Sequence, residues 1–361
     1  MQVGAASCGA VGRKPWLPAI VPAKRSGGLV VRAASQVRTE RRERRPQNVS
    51  GEFYVDHKCI DCDVCRWMAP QVFVRIDGQS AVCEQPSSEE ERLKALQALL
   101  SCPTSSIHTE HAPSDILDVQ KTFPLPINDE NLPGVYHCGY HSERTYGATS
   151  YLIVHPTGNI LVDSPRYTER LARNIEKLGG ARYMFLTHKY GNVLVLSATN
   201  FKTETKNSTD SVFDILTRDD VADHKKWSRR LKCDRILHAS DMELSTADVE
   251  MKLYGDGPWS IGPDFDLLHT PGHSCGSVCL LYKPLKVLFT GDHLGHTAGS
   301  ELSIFEQYNQ DSVATQLRSV NKLLDLDFRW ILPGHGRRVE FHDVHEKNLA
   351  LRAFLDGKQH S

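Results

Sequence analysis

Short apolar runs alternate with polar, turn-rich joints from residue 145 onward, and the spacing of the runs predicts the elements. Residues 150–155 and 160–163 read as strands, and Pro156-Thr157-Gly158-Asn159 between them suggests a hairpin. Residues 168–178 carry an amphipathic helical period, and 183–186 form a buried strand that ends at Thr187-His188. Further strands are expected at 235–238, 265–269, 278–282, 287–289 and 330–332, with helices near 223–232, 311–324 and 342–354. Two sheets, each covered by helices, are the natural packing for this alternation. Upstream, 71–74 is strand-like and 87–100 reads as a helix. Ser87 or Ser88 can cap it, Glu89, Glu90 and Glu91 suit its positive end, and Leu93, Leu96, Leu99 and Leu100 form the expected buried stripe.

At 361 residues the chain is long enough for about two domains. The net charge of −1 hides an uneven layout. Residues 1–50 hold ten Lys/Arg against two acids, whereas 51–110 hold five against ten. The first 39 residues lack Asp and Glu altogether, which reads as an organelle transit peptide, with VVRAAS at 30–35 similar to a chloroplast processing site. A mitochondrial destination or a disordered basic arm are the alternatives. The cluster Arg41, Arg42, Arg44, Arg45 is expected to be a solvated linker, so that 1–50 is read as disordered. Without an apolar run near 18 residues, no membrane span is expected, and without aromatics interleaved in the basic run, no nucleic-acid partner.

Cys59, Cys62 and Cys65 stand at even three-residue spacing and are answered by Cys102-Pro103. Thiolates so spaced can fold around one corner of a cubane cluster while the distant fourth closes the opposite corner. A zinc knuckle or a disulfide framework are the alternatives, although zinc sites usually pair CxxC with a second CxxC or HxxxH, and neither stands at suitable range. CIDCDVC at 59–65, Ala69-Pro70, the run at 71–74 and Ser101-Cys102-Pro103 make residues 51–110 resemble single-cluster ferredoxins. That resemblance implies one 4Fe–4S centre and one-electron transfer, and the acidic surface would suit a basic redox partner protein. Cys275 and Cys279, which flank a predicted strand, are expected to be small buried residues.

The ends of the predicted strands are more specific than the strands. Thr187-His188, then Asp223-His224, HTPGH at 269–273, FTGDH at 289–293 and LPGHG at 332–336 each put an imidazole or carboxylate in a turn after an apolar run. In this order they resemble the metallo-β-lactamase superfamily, with the glyoxalase II-like branch nearest. The resemblance covers 145 to about 345 and implies an αββα sandwich. The expected fold class is therefore α+β: a ferredoxin-like domain (51–110), a linker (111–144) and a metallo-β-lactamase-like domain (145–361). It also implies two divalent metal ions (Zn, Fe or Mn): His188 and His273 on one, Asp223, His224 and His335 on the other, and Asp292 bridging. One departure is plain. The family has three residues where 34 separate His188 from Asp223. Removing 190–218 leaves THKDDVADH, with Asp219 where a second His should stand, Asp220 or no ligand at all being the alternatives; a carboxylate there would make a harder site, favouring iron or manganese. The segment reads as a retained intron or, alternatively, as a surface insertion.

These features lead to an expected metal-dependent hydrolase acting on a small-molecule ester or thioester, with the metals lowering the pKa of a bridging water and Asp223 orienting it. The alternatives are an iron-dependent oxidoreductase fed electrons by the ferredoxin domain, and a non-catalytic cluster-binding scaffold. His137 and His141 are read as exposed linker histidines, and His293 and His296 as neighbours of the site. Trp227, Trp259 and Trp330 are read as core or edge packing.

Overall fold

A computed structural model describes residues 42–189 and 223–359. The residues from Arg42 onward belong to one of the chain's two compact units. The expected transit segment, the expected insertion at 190–218 and Asp219 lie outside the described residues.

Strands β1 (Phe53–Val55) and β4 (Ile107–Thr109) pair antiparallel, as do β2 (Phe73–Ile76) and β3 (Gln79–Val82). Between them run α1 (Val64–Met68) and α2 (Glu89–Ser101). The α2 N-terminus is closed as its sequence predicts: Ser88 Oγ accepts from Glu91 N at 3.2 Å, and the Glu91 carboxylate accepts from Ser87 N at 2.8 Å, a reciprocal capping box. Its buried stripe differs from the expected one. Ala95, Leu96, Ala98 and Leu100 face inward into the module's apolar core, while Leu93 is 37% exposed.

The basic cluster is not a solvated linker. Arg45 is buried, its guanidinium donating to the carbonyls of Ser80 and Ile76, and Arg42 donates to Ser105 O at 2.8 Å. The carbonyls of Ile76 and Ser80 in β2–β3 hold the Arg45 guanidinium inward, so the folded region starts ahead of residue 51.

Residues 111–144 are not a linker either. They contain α3 (Ile116–Lys121), β5 (Leu125–Pro126) and β6 (Val135–His137), the last two being strands of the first large sheet. That sheet has seven strands. In spatial order they are β11 (Met251–Leu253), β10 (Asp234–His238), β9 (Tyr183–Phe185), β8 (Ile160–Val162), β7 (Tyr151–Ile153), β6 and β5. It is parallel from β8 to β11 and antiparallel from β8 to β5. Helices α4 (Glu169–Lys177) and α5 (His224–Leu231) belong to this half of the fold. The second sheet has six strands: β12 (Trp259–Ile261), β13 (Phe265–His269), β14 (Val278–Tyr282), β15 (Val287–Gly291), β18 (Trp330–Pro333) and β19 (Val339–Glu340). A small β16–β17 ladder (Gly295–His296, Leu302–Ser303) follows β15, and α6 (Val313–Lys322) and α7 (Val344–Gln359) cover this sheet's outer face.

The two-residue period of the strands explains the layering. In β14, Val278, Leu280 and Tyr282 enter the core between the sheets with Tyr151, Ile153, Val162 and Phe185. Cys279 and Leu281 point the other way, toward Val320, Leu323 and Leu351 of the covering helices. On the far side, Leu152, Leu161 and Met184 share a core with α4, Trp227 and the cysteine-bearing module. The result is an α+β fold with a four-layer αββα sandwich, and the small module packs into its outer layer without a break in the apolar core. Cys279 is buried as expected, but Cys275 is exposed in the loop before β14.

Candidate metal centre and cluster site

Each of the strands β9, β13, β15 and β18 delivers one loop to the same edge of the sandwich. β15 and β18 run parallel, so Gly291-Asp292 and Gly334-His335 emerge side by side, tied by Gly334 N donating to Gly291 O at 2.7 Å. Ligand atoms of His188, His273 and Asp292 lie within 4.8 Å of one another. Asp292 Oδ2 is the hub, 3.4 Å from His188 Nε2, 3.7 Å from His273 Nε2 and 3.6 Å from His335 Nε2. Burial would raise the Asp292 pKa, but the imidazoles of His335, His188 and His273 hold it below the usual carboxylate range. Burial depresses His273 to about 4, whereas at His188 the Asp292 carboxylate overcomes burial and raises the pKa.

Groups that the sequence pattern did not single out orient these ligands. Asp163, at the end of β8, accepts from Thr187 N and Oγ1 at 3.0 and 3.1 Å, and Thr187 Oγ1 lies 2.9 Å from His188 Nδ1. With the hydroxyl donating to Asp163, His188 Nδ1–H donates to Thr187, leaving Nε2 as the lone-pair side toward Asp292. Burial pushes Asp163 up to about 6. Asp241 accepts from Lys189 N and Gly276 N, both at 2.8 Å, and from Ser274 Oγ, thereby clamping the residues after both His188 and His273. On α6, buried Gln316 donates to His293 O at 2.7 Å and accepts from Asn309, which also donates to Gly272 O at 2.7 Å. An Asp at the end of a predicted strand was the available signal for Asp163; Asp241 acts across 33 or more residues of sequence and Gln316 across 23 to His293, and neither left one.

Gly272 shows how tightly the His273 loop is held. Its φ is +135°, and a Cβ there would sit 2.2 Å from the Gln316 backbone. Gly272→Ala is therefore expected to cost roughly 3 kcal/mol and lower the melting temperature by about 5–10 °C. Scanning calorimetry checks this.

Asp223 and His224 are not brought to this hub. Asp223 Oδ2 accepts from Tyr167 N and Oδ1 pairs with Lys226, both at 2.8 Å. His224 is buried, with Nδ1 3.3 Å from Arg235 Nη1. The described residues thus assemble three imidazoles and one carboxylate, a donor set suited to one borderline divalent ion. His293, next to Asp292, is fully buried, and neither ring nitrogen has a hydrogen-bond partner among the described residues. His296 ends β16, paired with Leu302.

Cys59, Cys62, Cys65 and Cys102 line one cavity with Val55, Val64, Ser80 and Ser106. All are free thiols. The loop winds around them through Asp61 and Asp63, both left-handed (φ 58° and 67°), and Arg66 bridges the two carboxylates at 2.7 and 2.6 Å. Burial, together with the neighbouring thiols, pushes Cys62 up to about 12. Four clustered thiolates therefore need a cationic core, which a cubane of iron and sulfide supplies. Ser106 N donates to Cys102 Sγ at 3.2 Å and Ser80 N to Cys59 Sγ at 3.4 Å, the backbone dipoles that such a cluster requires. Cys62→Ser is expected to lose most of the bound iron and acid-labile sulfide; anaerobic iron and sulfide assays against wild type measure it.

The sequence comparisons match a family to each of the two regions. Residues 55–109 match the family described as the 4Fe-4S single cluster domain of Ferredoxin I, and 223–335 match the metallo-beta-lactamase superfamily. The chain joins a 4Fe-4S ferredoxin domain to a metallo-beta-lactamase superfamily domain. The superfamily match starts at Asp223, immediately after the undescribed stretch. The chain is 30% identical over 127 residues to the probable metallo-hydrolase YqgX of Bacillus subtilis (strain 168), covering 34% of this chain and 59% of that protein. Among solved structures it is similar to the DIM-1 metallo-beta-lactamase (16% identity, TM-score 0.43, 61% of this chain and 94% of that one). It is also similar to a metallo-beta-lactamase family protein of Thermus thermophilus (16%, 0.41, 63% and 80%).

The two domains meet at the loop before β7. His137 and His141, far from being exposed, are both buried, with their Nε2 atoms 2.9 Å apart. Trp67 of the ferredoxin domain packs edge-on against His137. His141 Nδ1 lies 2.7 Å from Gly147 O. Gly147 (φ +86°) abuts the cluster loop: a Cβ there would be 3.0 Å from Cys62 Cβ. Gly147→Ala is expected to cost about 1–2 kcal/mol for the left-handed backbone alone and to speed loss of the cluster in air, followed by the decay of its visible absorbance.

Proposed function

We propose that the protein is a metal-dependent hydrolase of small-molecule esters or thioesters. The observation that carries this reading is the Asp292 hub, where three imidazoles and a carboxylate converge on one buried edge. His188, His273, Asp292 and His335 would hold the ion. A bound divalent ion would lower the pKa of water and polarise the substrate carbonyl. The chain's own work is positional: Asp163 and Thr187 set the tautomer of His188, while Asp241 and Gln316 fix the loops so that the ligands need not reorganise on binding. Hydrolysis of an ester and thioester panel by anaerobically purified protein, before and after chelation, tests it. Turnover that survives removal of all bound metal would end it.

A second reading, an oxidoreductase in which the cluster serves the metal centre, is favoured by one specific contact path. Cys62 touches Gly147; two residues on, Thr149 N donates to Gly334 O at 2.7 Å; the next residue is His335. Asp63 beside the cluster also pairs with Arg337 at 2.8 Å. Iron at the hub together with activity lost on cluster removal would support it; zinc alone with cluster-independent hydrolysis would exclude it. In either reading we propose a small-molecule substrate, and in the second a redox partner protein that supplies electrons.

A further inference from the structure

Arg338 stands three residues beyond His335 in a cavity of ≈ 220 Å³ lined by Trp67, Thr149, Tyr151, Gly336 and Arg337. Its guanidinium lies 4.6 Å from the Trp67 ring centroid and 5.9 Å from that of Tyr151. Its Nη2 is sealed from solvent without a hydrogen-bond partner among the described residues. Neighbouring Arg337 has its charge answered by Asp63, but among the described residues no carboxylate lies within ion-pair distance of Arg338. Its charge bears on the buried imidazoles of His137 and His141, and the Tyr151 hydroxyl, which donates to Pro333 O at 2.7 Å, accepts from the guanidinium. The cation–π contact and the Tyr151 oxygen offset part of the cost of drying the guanidinium, yet leave Nη2 with nothing to donate to among the described residues. Such a fork, fixed between two aromatic faces, is built to grip a planar or tetrahedral oxyanion. Gly336 in the cavity wall is peptide-bonded to His335, so an anion held there lies beside the metal-binding edge.

We propose that Arg338 binds an anionic group, carboxylate or phosphate, of the small-molecule substrate, and that Trp67 of the ferredoxin domain supplies one wall of that subsite. The proposal rests on the hydrolase reading for its link to turnover, but not for the binding itself. The substrate site is then shared by both domains, which gives the fusion a role independent of electron flow.

The test is calorimetric titration of inorganic phosphate into the full chain with its cluster, with metal loaded and after chelation. One phosphate is expected to bind in both states, with affinity at least about tenfold weaker in Arg338→Gln and partly recovered in Arg338→Lys. Trp67 fluorescence should respond on binding, and Trp67→Phe should lose that signal while still binding. Iron and sulfide content of each variant shows that the domains remain assembled. Unchanged phosphate affinity in Arg338→Gln, no binding at all, or binding abolished by chelation would each overturn the proposal. With esters differing only by a carboxylate, Arg338→Gln should raise KM for the charged one about tenfold and leave the neutral one unchanged. If no ester is hydrolysed while phosphate still binds through Arg338, the hydrolase reading fails and the subsite stands.

Discussion

Replacing Asp292 by asparagine should empty the metal centre and lower hydrolysis by roughly a thousandfold or more. The residue is 8% exposed and, among the described residues, is the one carboxylate within 4 Å of all three imidazoles, at 3.4–3.7 Å. Asparagine keeps the shape but removes the charge, so an ion held there would keep only neutral nitrogens and an amide oxygen. The metal-free protein should change as well. Because Asp292 titrates below its unfolded value in the folded chain, its stabilisation is fully present above about pH 4 and is lost as pH falls toward the depressed native value. The stability gap between wild type and Asp292→Asn, measured by denaturant melts in chelator, should therefore be wide at pH 7 and narrow below pH 4. His188 should titrate lower in the variant, since the Asp292 charge is what raises it against burial. Elemental analysis is the deciding measurement: a full complement of metal in Asp292→Asn would remove Asp292 from the ligand set.

Much of this arrangement was legible in the chain, and the parts that were not share a physical cause. Strands of five residues such as β13 and β14 display the two-residue period several times over, and the ligands follow them directly in Gly- and Pro-bearing turns. β5 and β6 have two and three residues, one of them proline, which is too short for any period to register. The segment between the cysteine module and the sandwich therefore looks like a linker until its partner strand β7 is in place. His137 and His141 were misread for the same reason: an imidazole looks exposed when the Trp67 that covers it is 70 residues upstream. Arg45 was hidden by charge, since a run of arginines suggests solvent and only the tertiary structure reveals the carbonyls of Ile76 and Ser80 waiting for one of them. Asp163 lies at a strand end, as the ligands do, and Asp241 in the turn after β10, but their work is done through hydrogen bonds that the sequence does not encode locally. Asp223 and His224 are the reverse case. Their motif is legible, yet their side chains are engaged by Tyr167, Lys226 and Arg235.

That reversal leads to the second large effect. A chain lacking residues 190–218 should bind two divalent ions where the full chain binds one, and its hydrolysis should rise about tenfold or more. After deletion only Asp219, Asp220, Val221 and Ala222 separate Lys189 from Asp223. Such a tether spans at most about 18 Å when fully extended, and Lys189 is already pinned by its N–H to Asp241. Asp219 would then stand two positions after His188, where the superfamily pattern has its second histidine. The closure entropy saved by shortening a loop of 33 residues to four is roughly 2 kcal/mol. That is comparable to one charge-assisted hydrogen bond, and so enough to draw Asp223 from Tyr167 N toward a cation. The contacts that hold Asp223 and His224 away are local and exchangeable, whereas the Asp292 hub is anchored by three loops and should not move. Metal stoichiometry of the two chains, purified in parallel, measures the effect. Transcript sequencing gives an independent reading, with messages that omit the 190–218 coding segment expected to predominate. Equal metal content in both chains would mean that the second ion site does not depend on the length of this loop.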